Sequence, residues 1–473
     1  IRENSQLAEN DYGIFLQGCD SIKIGNNKIA SNGKHGIYLK DSRYSRIVAN
    51  EIIKNASCGI LIDGNEAKNN EIFSNFIGTD FNSEQAYANE IGVHITNRAN
   101  GNIIGTENII SGNDRQGILI SEFASRNKII GNKIGTRKNG KGRLPNGLGA
   151  GIKVTDADSN TIGGLIEGHR NIISGNEGYG VYISGNGSYG NVVIGNFIGT
   201  DISGEKSLAN SIDGVKIVKA ANNRIGYILL GRNIISGNEE FGVDIEDGRR
   251  NIVIGNYIGT NKDGTKKLSN QLGLRIICTD LYKGCSHENT IKGNLISGNK
   301  SDGIFIQSSG WNNISGNFIG TDWVGLRALP NLGNGIAIEN SSFNIIGGAT
   351  ANERNIISGN IKAGVAIGED DNMVLRNYIG TGLRGSESIG NNIGVEIYFP
   401  GSNNLVTNNK IHHNCKGIKV TGKNAIVNND LYDNWCLFSG IHLHNSNAKI
   451  TGNTIRGDKG NACLLYTSPS PRD

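Results

Sequence analysis

Five residues with polar or titratable side chains occupy matching places in a repeated strand motif near the middle of the chain. The motif is a glycine followed by an aliphatic, a variable and a second aliphatic residue, as in Gly214-Val-Lys-Ile217. Because side chains alternate between the two faces of a strand, the variable residue of each copy should face outward. This column, with one residue two positions beyond it, supplies the candidate site residues Lys153, Tyr182, Lys216, Asp244, Glu246 and Arg275.

These side chains suit the recognition of an acidic polysaccharide. The two lysines and the arginine could pair with sugar carboxylates, and Tyr182 offers a stacking ring and a hydroxyl. In a catalytic alternative, a lysine or tyrosine desolvated beside another cation would act as a base at a sugar C5. Asp244 and Glu246 would then position the cations or take part in proton transfer. A solvated strand face of mixed charge is the third interpretation, and all three stay open at this point.

The motif recurs because the chain consists of about sixteen repeats. Marker glycines lie 23 residues apart near both ends, as from Gly13 to Gly36, and alternate markers in the middle are 59 to 63 residues apart. Each repeat holds short runs rich in Ile and Val that end at Asn, Gly or Ser, which is typical of strands. Parallel crossover connections are right-handed in almost all proteins. The sequence therefore predicts an all-β, right-handed, single-stranded parallel β-helix of about sixteen coils.

An asparagine column accompanies the repeats, and each member stands two residues before an isoleucine or leucine. Stacked Asn amides can hydrogen-bond along an axis, and Asn tolerates the left-handed backbone of a tight turn. We therefore expect a structural asparagine ladder rather than a set of ligands. Its members are Asn27, Asn50, Asn75, Asn108, Asn132, Asn171, Asn196, Asn233, Asn256, Asn294, Asn317, Asn355, Asn377, Asn409, Asn429 and Asn453.

Alternate repeats carry a polar insertion after an Ile-Gly-Thr sequence. The insertions share one position in the coil, so we expect them along one edge, where repeat proteins often bind ligands. Basic residues in two of them, the segment 137–143 and Lys262, Lys266 and Lys267, would add positive charge beside the column. The insertions begin at Asp80, Arg137, Asp201, Asn261, Asp322 and Gly382.

Composition limits the function classes. A net charge of +4 does not by itself indicate nucleic-acid binding. No apolar run reaches the roughly 18 residues of a membrane-spanning helix. The segment Gly185–Gly190 matches a nucleotide-binding glycine pattern, but no helix is predicted after it, so we interpret it as a turn. We predict one repeat domain with no cofactor, no metal, no nucleic-acid partner and no membrane insertion.

The histidines do not indicate a metal site. His412 and His413 are adjacent, and His442 and His444 follow one coil later. A metal cluster is conceivable from the residue type. Because the later pair shares one strand face, we interpret all four as solvated surface residues.

The cysteines also lack the spacing of a metal site. Cys278 and Cys285 lie in one predicted loop and could form a disulfide, whereas Cys415 and Cys436 fall in adjacent coils. Buried, reduced thiols are the alternative interpretation.

Both ends of the sequence suggest a fragment. The chain opens inside a repeat at Ile1, without an initiator Met or a signal peptide. Periodicity stops near Ala462, and residues 463–473 resemble one reading frame of a sequencing adapter. We therefore predict that residues 1–462 are a β-helix domain whose native ends are missing, and that residues 463–473 are a non-native tail.

Three short sequences carry a resemblance to a known family: IGTD at 77–80, NIISGN at 108–113 and NTIGG at 160–164. The chain resembles right-handed parallel β-helix repeat proteins of bacterial surfaces, in the pectate-lyase-like superfamily. The resemblance covers about residues 1–462 and implies an extracellular or cell-surface protein. Relatives include polysaccharide lyases and mannuronan C5-epimerases, but the Asp-Pro-His-Glu motif of the epimerases is not in this sequence. The resemblance implies a non-catalytic glycan-binding, structural or adhesive solenoid. The alternative is a polysaccharide lyase or C5-epimerase that acts on an acidic polysaccharide.

Overall fold

A computed structural model describes residues 11–228, 230–279, 287–436 and 440–457, and the backbone of residues 463–466. Within these ranges the helical elements are two short 3-10 turns, Glu167–His169 and Ala351–Glu353. The strands form three parallel sheets of seventeen, sixteen and sixteen strands, named sheets I, II and III in the order in which each coil visits them. One strand per sheet per coil is the arrangement of a parallel β-helix. The predicted fold class and the number of about sixteen coils are therefore confirmed.

The chain divides into two compact units, Ile1–Asp244 and Ile245–Asp473. In the first unit, sheet I contains Tyr12–Gln17, His35–Lys40, Cys58–Asp63, Ile91–Thr96, Ile118–Ser121, Ala150–Thr155, Tyr179–Ser184, Val215–Val218 and Phe241–Glu246, whose last two residues belong to the second unit. Sheet II contains Lys23–Gly25, Arg46–Val48, Glu71–Phe73, Ile103–Ile104, Lys128–Ile129, Thr161–Gly163, Val192–Ile194 and Arg224–Ile225. Sheet III contains Lys28–Ala30, Glu51–Ile53, Phe76–Ile77, Ile109–Ile110, Lys133–Ile134, Ile172–Ile173, Phe197–Ile198 and Ile234–Ile235.

The second unit repeats the pattern. Its sheet I strands are Leu272–Ile277, Ile304–Gln307, Ile336–Glu339, Ala363–Gly368, Ile393–Ile397, Lys416–Val420, Ile441–His444 and Cys463–Tyr466. Its sheet II strands are Ile252–Ile254, Thr290–Lys292, Asn313–Ser315, Ile345–Gly347, Met373–Leu375, Leu405–Thr407, Ala425–Val427 and Lys449–Thr451. Its sheet III strands are Tyr257–Ile258, Leu295–Ile296, Phe318–Ile319, Ile356–Ile357, Tyr378–Ile379, Lys410–His412, Asp430–Tyr432 and Thr454–Arg456.

The interior of each coil explains the strand motif. The two aliphatic residues that flank the variable position, such as Val215 and Ile217, are fully buried. A Cβ atom on the marker glycine Gly214 would lie 2.5 Å from Cγ2 of Ile235 and 2.7 Å from the carbonyl oxygen of Gly242, so no larger side chain fits there. Each buried Ile or Val contributes about 1.5–3 kcal/mol. A single coil holds only a few of them, and neighbouring coils stabilise one another by stacking.

The predicted asparagine ladder lies at the turn between sheets II and III. The Asn75 side-chain amide donates to Oδ1 of Asn108 at 3.1 Å and to the carbonyl oxygens of Ile47 and Phe73 at 2.9 Å each. The backbone N–H of Asn75 donates to the same Asn108 oxygen at 2.9 Å. The amides thereby satisfy buried backbone groups that the turn leaves without strand partners.

Two further ladders were not predicted. At the turn between sheets I and II, the Asn102 amide donates to Oδ1 of Asn127 at 3.1 Å. After sheet III, the Asn146 amide donates to Oδ1 of Asn176 at 2.9 Å. The second Asn of each NIISGN sequence belongs to the ladder after sheet III, so the sequence did carry a signal for it.

The insertions form closed loops, as the antiparallel bridge between Thr200 and Ser207 shows. Successive loops within a unit are joined by hydrogen bonds. The Ile202 N–H donates to the Gly140 carbonyl at 2.9 Å in the first unit. In the second unit, two bonds of the same kind join three loops, from Trp323 to Gly264 at 3.2 Å and from Leu383 to Gly325 at 3.1 Å. The predicted alignment of insertions along one edge therefore holds for these loops of each unit.

The cysteines and the C-terminal stretch differ in part from expectation. Cys415 and Cys436 form a disulfide between adjacent coils, so the interpretation as reduced thiols is wrong for this pair. Cys285 lies outside the described residues, and its pairing with Cys278 stays a prediction. The backbone of Cys463–Tyr466 pairs in parallel with Ile441–His444. The assignment of residues 463–473 to a non-native tail also stays a prediction.

Burial corrects the interpretation of His412 as a solvated surface residue. Its side chain is buried, with Nε2 at 3.3 Å from Oδ2 of Asp430, and burial lowers its pKa. In the part of the chain that the structure describes, no group of three or more His, Cys, Asp or Glu side chains is placed to hold a metal ion. No helix within the described ranges has the length and apolar content that crossing a membrane requires.

Candidate functional site

The variable column lies on sheet I, and in the first unit its members stand side by side. Lys153 is in register with Leu119 of the preceding coil and with Tyr182 of the following coil. Tyr182 is in turn in register with Lys216. Adjacent strands of a sheet are about 4.8 Å apart, so three predicted site residues follow one another along one strip.

Lys153 and Tyr182 form the accessible part of this strip. The Lys153 ammonium nitrogen lies 5.3 Å from the centroid of the Tyr182 ring. A second ring, Tyr179, stacks on Tyr182 with centroids 5.0 Å apart and an interplanar angle of 27°. All three side chains are half-buried. A cation held over an aromatic face keeps its charge and fixes its position, which prepares it to meet an anion.

Lys216 and Asp244 form a buried ion pair in the next two coils. The Lys216 ammonium donates a hydrogen bond to Oδ2 of Asp244, and the two side chains are only 8% and 0% exposed. The Lys216 charge is therefore directed at a carboxylate of the protein. Its predicted contact with a polymer carboxylate and the roles predicted for Asp244 stay predictions.

Two further residues complete the cluster and were not predicted. Tyr179 and Asp213 each precede a marker glycine, so both lie at a second recurring position of the repeated motif. Burial, followed by the nearby Asp213 carboxylate, raises the pKa of Tyr179. Asp213 is itself buried, and its Oδ1 accepts the backbone N–H of Phe241 at 3.0 Å. Reading the residue before each marker glycine would have identified both.

Glu246 and Arg275 belong to the second unit. Both are half-buried on sheet I, and Arg275 is in register with Phe305 of the following strand. The structure thus brings together Lys153, Tyr182, Lys216 and Asp244 in the first unit. The roles predicted for Glu246 and Arg275 stay predictions.

The basic insertion at 137–143 is partly engaged with its own unit. Lys138 lies over the Phe76 ring, with its nitrogen 5.4 Å from the centroid. Arg143 donates to the Gly175 carbonyl at 3.2 Å. All four cations of this loop, Arg137, Lys138, Lys141 and Arg143, are exposed.

In the second unit, the predicted basic loop residues are also at the surface. Lys262, Lys266 and Lys267 are all exposed. Positive charge is therefore available on an insertion loop of each unit.

Comparisons with known proteins concern the fold. Residues 1–91 match the family model described as "Right handed beta helix region". No curated protein sequence matches the chain. Among solved structures, the chain is similar to the A-module of mannuronan C-5 epimerase AlgE4 from Azotobacter vinelandii, with 13% identity and a TM-score of 0.29, over 89% of this chain and 88% of that one.

Two other similar structures are a surface adhesin and an alginate lyase. The surface adhesin PfbA of Streptococcus pneumoniae is 11% identical, with a TM-score of 0.28, over 79% of this chain and 84% of that one. A PL6 alginate lyase in complex with a trisaccharide is 12% identical, with a TM-score of 0.27, over 83% of this chain and 80% of that one. The three parallel sheets with one strand each per coil, together with the family-model match over residues 1–91, show that the chain has the right-handed parallel β-helix fold.

Proposed function

We propose that this chain is a secreted or cell-surface β-helix protein that binds an anionic polysaccharide along sheet I without altering it chemically. The observation that carries the proposal is the Lys153 ammonium held over the Tyr182 ring on the outward strip of the first unit. A cation and a ring in adjacent coils present a charged contact for a carboxylate and a flat face for a sugar. The two groups lie one strand spacing apart, about 4.8 Å, along the strip.

The buried pair next to this contact supports a binding role. An ion pair with little exposure is held by the fold and does not rearrange easily, because separating it would leave a charge without water. Lys216 and Asp244 therefore act as a rigid part of the strip beside Tyr182. Under this proposal Lys153 makes the direct contact with a ligand carboxylate, and the charge of Lys216 is balanced by Asp244.

The catalytic alternative is a lyase or C5-epimerase, and it requires a base close to a sugar C5. The proximity of the buried pair to two tyrosines is the observation that favours it. The protonation of the side chains that could serve as this base argues against the catalytic alternative. The raised pKa of Tyr179 keeps its phenol protonated at neutral pH, and Lys216 donates to Asp244. Incubation with alginate or pectate, followed by ultraviolet absorbance for unsaturated products and by NMR for inverted uronates, separates the two. We expect the polymer to be recovered unchanged, and formation of either product would establish an enzyme.

A secreted or surface location has independent support from the disulfide between Cys415 and Cys436. Disulfides form and persist in oxidising compartments and are rare in the cytosol. Mass spectrometry of the protein recovered from its native source would test this. A bridged pair is expected, and free thiols at both positions would favour an intracellular protein.

The binding experiment compares two charge-removing variants of the first unit. Lys153→Gln removes the proposed contact, whereas Lys128→Gln removes an exposed lysine on sheet II and is the matched control. Affinity for alginate and for pectate is measured by calorimetry. We expect Lys153→Gln to bind more weakly than wild type and Lys128→Gln to bind equally well. Equal affinity in all three proteins, or no binding to either polymer, would contradict the proposal.

A further inference from the structure

We infer that the N-terminal part of the same strip, from Phe15 to Leu119 in the first unit, is an uncharged subsite that stacks on the apolar faces of sugar rings. The inference rests on the proposed function and extends it. It adds a second kind of contact with the polysaccharide, one that does not depend on carboxylates.

Backbone register makes this part continuous with the charged part. Phe15, Tyr38 and Leu61 are in register in successive strands. Leu61 is in register with His94, and His94 with Leu119, the residue next to Lys153. Five strand spacings from Phe15 to Lys153 correspond to about 24 Å. A single extended polymer could therefore touch both parts.

Four rings gather at the start of the strip. Phe15 and Tyr38 have centroids 5.0 Å apart, and Tyr12 and His35 stack at 5.6 Å with an interplanar angle of 9°. Tyr12 also lies 5.3 Å from Phe15, so the rings form one cluster. Phe15 is 44% exposed, whereas Leu61 of the same strip is 9% exposed. An aromatic cluster with an open face is suited to stacking.

The side chains of this part are uncharged at neutral pH. Burial lowers the pKa of His94 to about 4, and its Nε2 lies 2.8 Å from the Ser121 hydroxyl. Burial and the adjacent Asp63 raise the pKa of Tyr38, whose hydroxyl donates to Oδ2 of Asp63 at 2.6 Å. Phe15, Leu61 and Leu119 do not titrate. The strip thus changes from apolar to charged between Leu119 and Lys153.

The surroundings favour a sugar as the occupant. Sugar rings combine apolar C–H faces with hydroxyl groups at their edges, so a sugar site needs both flat apolar surface and polar groups. At the edge of the cluster, the Lys34 ammonium pairs with the Asp11 carboxylate at 2.7 Å, and both are partly exposed. Asp63 is beside Tyr38, where it also accepts a hydrogen bond from the Asn97 amide at 2.6 Å. These groups can meet hydroxyls while the rings cover the apolar face.

The test uses the chain of residues 1–473 and two probes. The probes are mannuronate oligosaccharides long enough to span the strip and the same oligosaccharides after reduction of their carboxyl groups. Phe15→Ala opens the aromatic cluster. Phe123→Ala is the matched control, because Phe123 is 57% exposed at a turn outside the strip. We expect Phe15→Ala to weaken binding of both probes by about twofold to tenfold, and Phe123→Ala to change neither. Lys153→Gln should weaken binding of the acidic probe only.

The outcomes separate this inference from the proposed function. If Phe15→Ala binds both probes like Phe123→Ala while Lys153→Gln loses affinity for the acidic probe, the stacking subsite is overturned and the proposed function stands. If neither probe binds wild type, both are overturned. Light scattering is run on the same samples. A change of oligomeric state caused by Phe15→Ala, with sugar affinity unchanged, would show that the cluster contacts a second copy of the chain and would also overturn the inference.

Discussion

The Lys216 ammonium donates a hydrogen bond to the carboxylate of Asp244 in the adjacent coil, and both side chains are buried. The two residues are 28 positions apart in sequence, and the repeat places them together. A buried pair of this kind is costly to break from one side only, because the remaining charge keeps its desolvation penalty and loses its partner.

A double-mutant cycle tests this relationship. Lys216→Met or Asp244→Leu alone should lower the free energy of unfolding by about 3–5 kcal/mol, and the double variant should lose much less than the sum. The control is the exposed pair of Arg115 with Glu90, whose removal should cost no more than about 1 kcal/mol. Urea denaturation measures all variants. Additive losses at the buried pair would show that the two charges do not stabilise one another.

The pH dependence of stability should contain a contribution from His94. Its folded pKa, about 4, is below the ordinary value of 6.5 because burial disfavours the imidazolium. Above pH 6.5 the side chain is neutral in both states and has no effect. As the pH falls from 6.5 towards 4, the unfolded chain takes up a proton that the folded chain does not, so stability falls by about 1.4 kcal/mol per pH unit. His94→Gln should flatten the profile in that window, and an unchanged profile would exclude His94 as its source.

The asparagine ladders should be sensitive to single substitutions. Asn256→Ala removes a side chain whose amide donates to Asn294 at 3.1 Å and to the Ile254 carbonyl at 3.2 Å. Because buried turn groups lose their partner, we expect a cost of about 1–3 kcal/mol. Asn82→Ala, at an exposed loop position, is the control and should be near neutral. Thermal denaturation compares the two. Equal stability would mean that the ladder amide is replaced by water without loss.

Much of the fold could be predicted because the repeat itself encodes it. Gly214 is required by the close approach of Gly242 and Ile235, and the flanking Val215 and Ile217 are required by the core. These local needs recur in every coil and are visible as periodicity. The ladder after sheet III was not predicted, because only one Asn per repeat was assigned to a ladder. The second Asn, such as Asn176, had no predicted role.

The candidate site was predictable only in part. That Lys153, Tyr182 and Lys216 share one strip follows from alternation along a strand and from coil stacking. Periodicity does not describe how neighbouring coils pack around Lys216. The burial of this side chain and its hydrogen bond to Asp244 depend on that packing. The same holds for the stacking of Tyr179 on Tyr182, which joins two different positions of the motif.

The most direct test of the central claim is the salt dependence of polymer binding at Lys153. Calorimetric titrations of wild type, Lys153→Gln and Lys128→Gln with alginate are repeated from about 0.1 M to about 1 M salt, where the screening length falls from about 10 Å to about 3 Å. If the Lys153 ammonium contacts a polymer carboxylate beside Tyr182, wild type and Lys128→Gln should lose affinity with salt along the same slope, and Lys153→Gln should bind more weakly with a shallower slope. Three identical slopes with identical affinities would contradict the account.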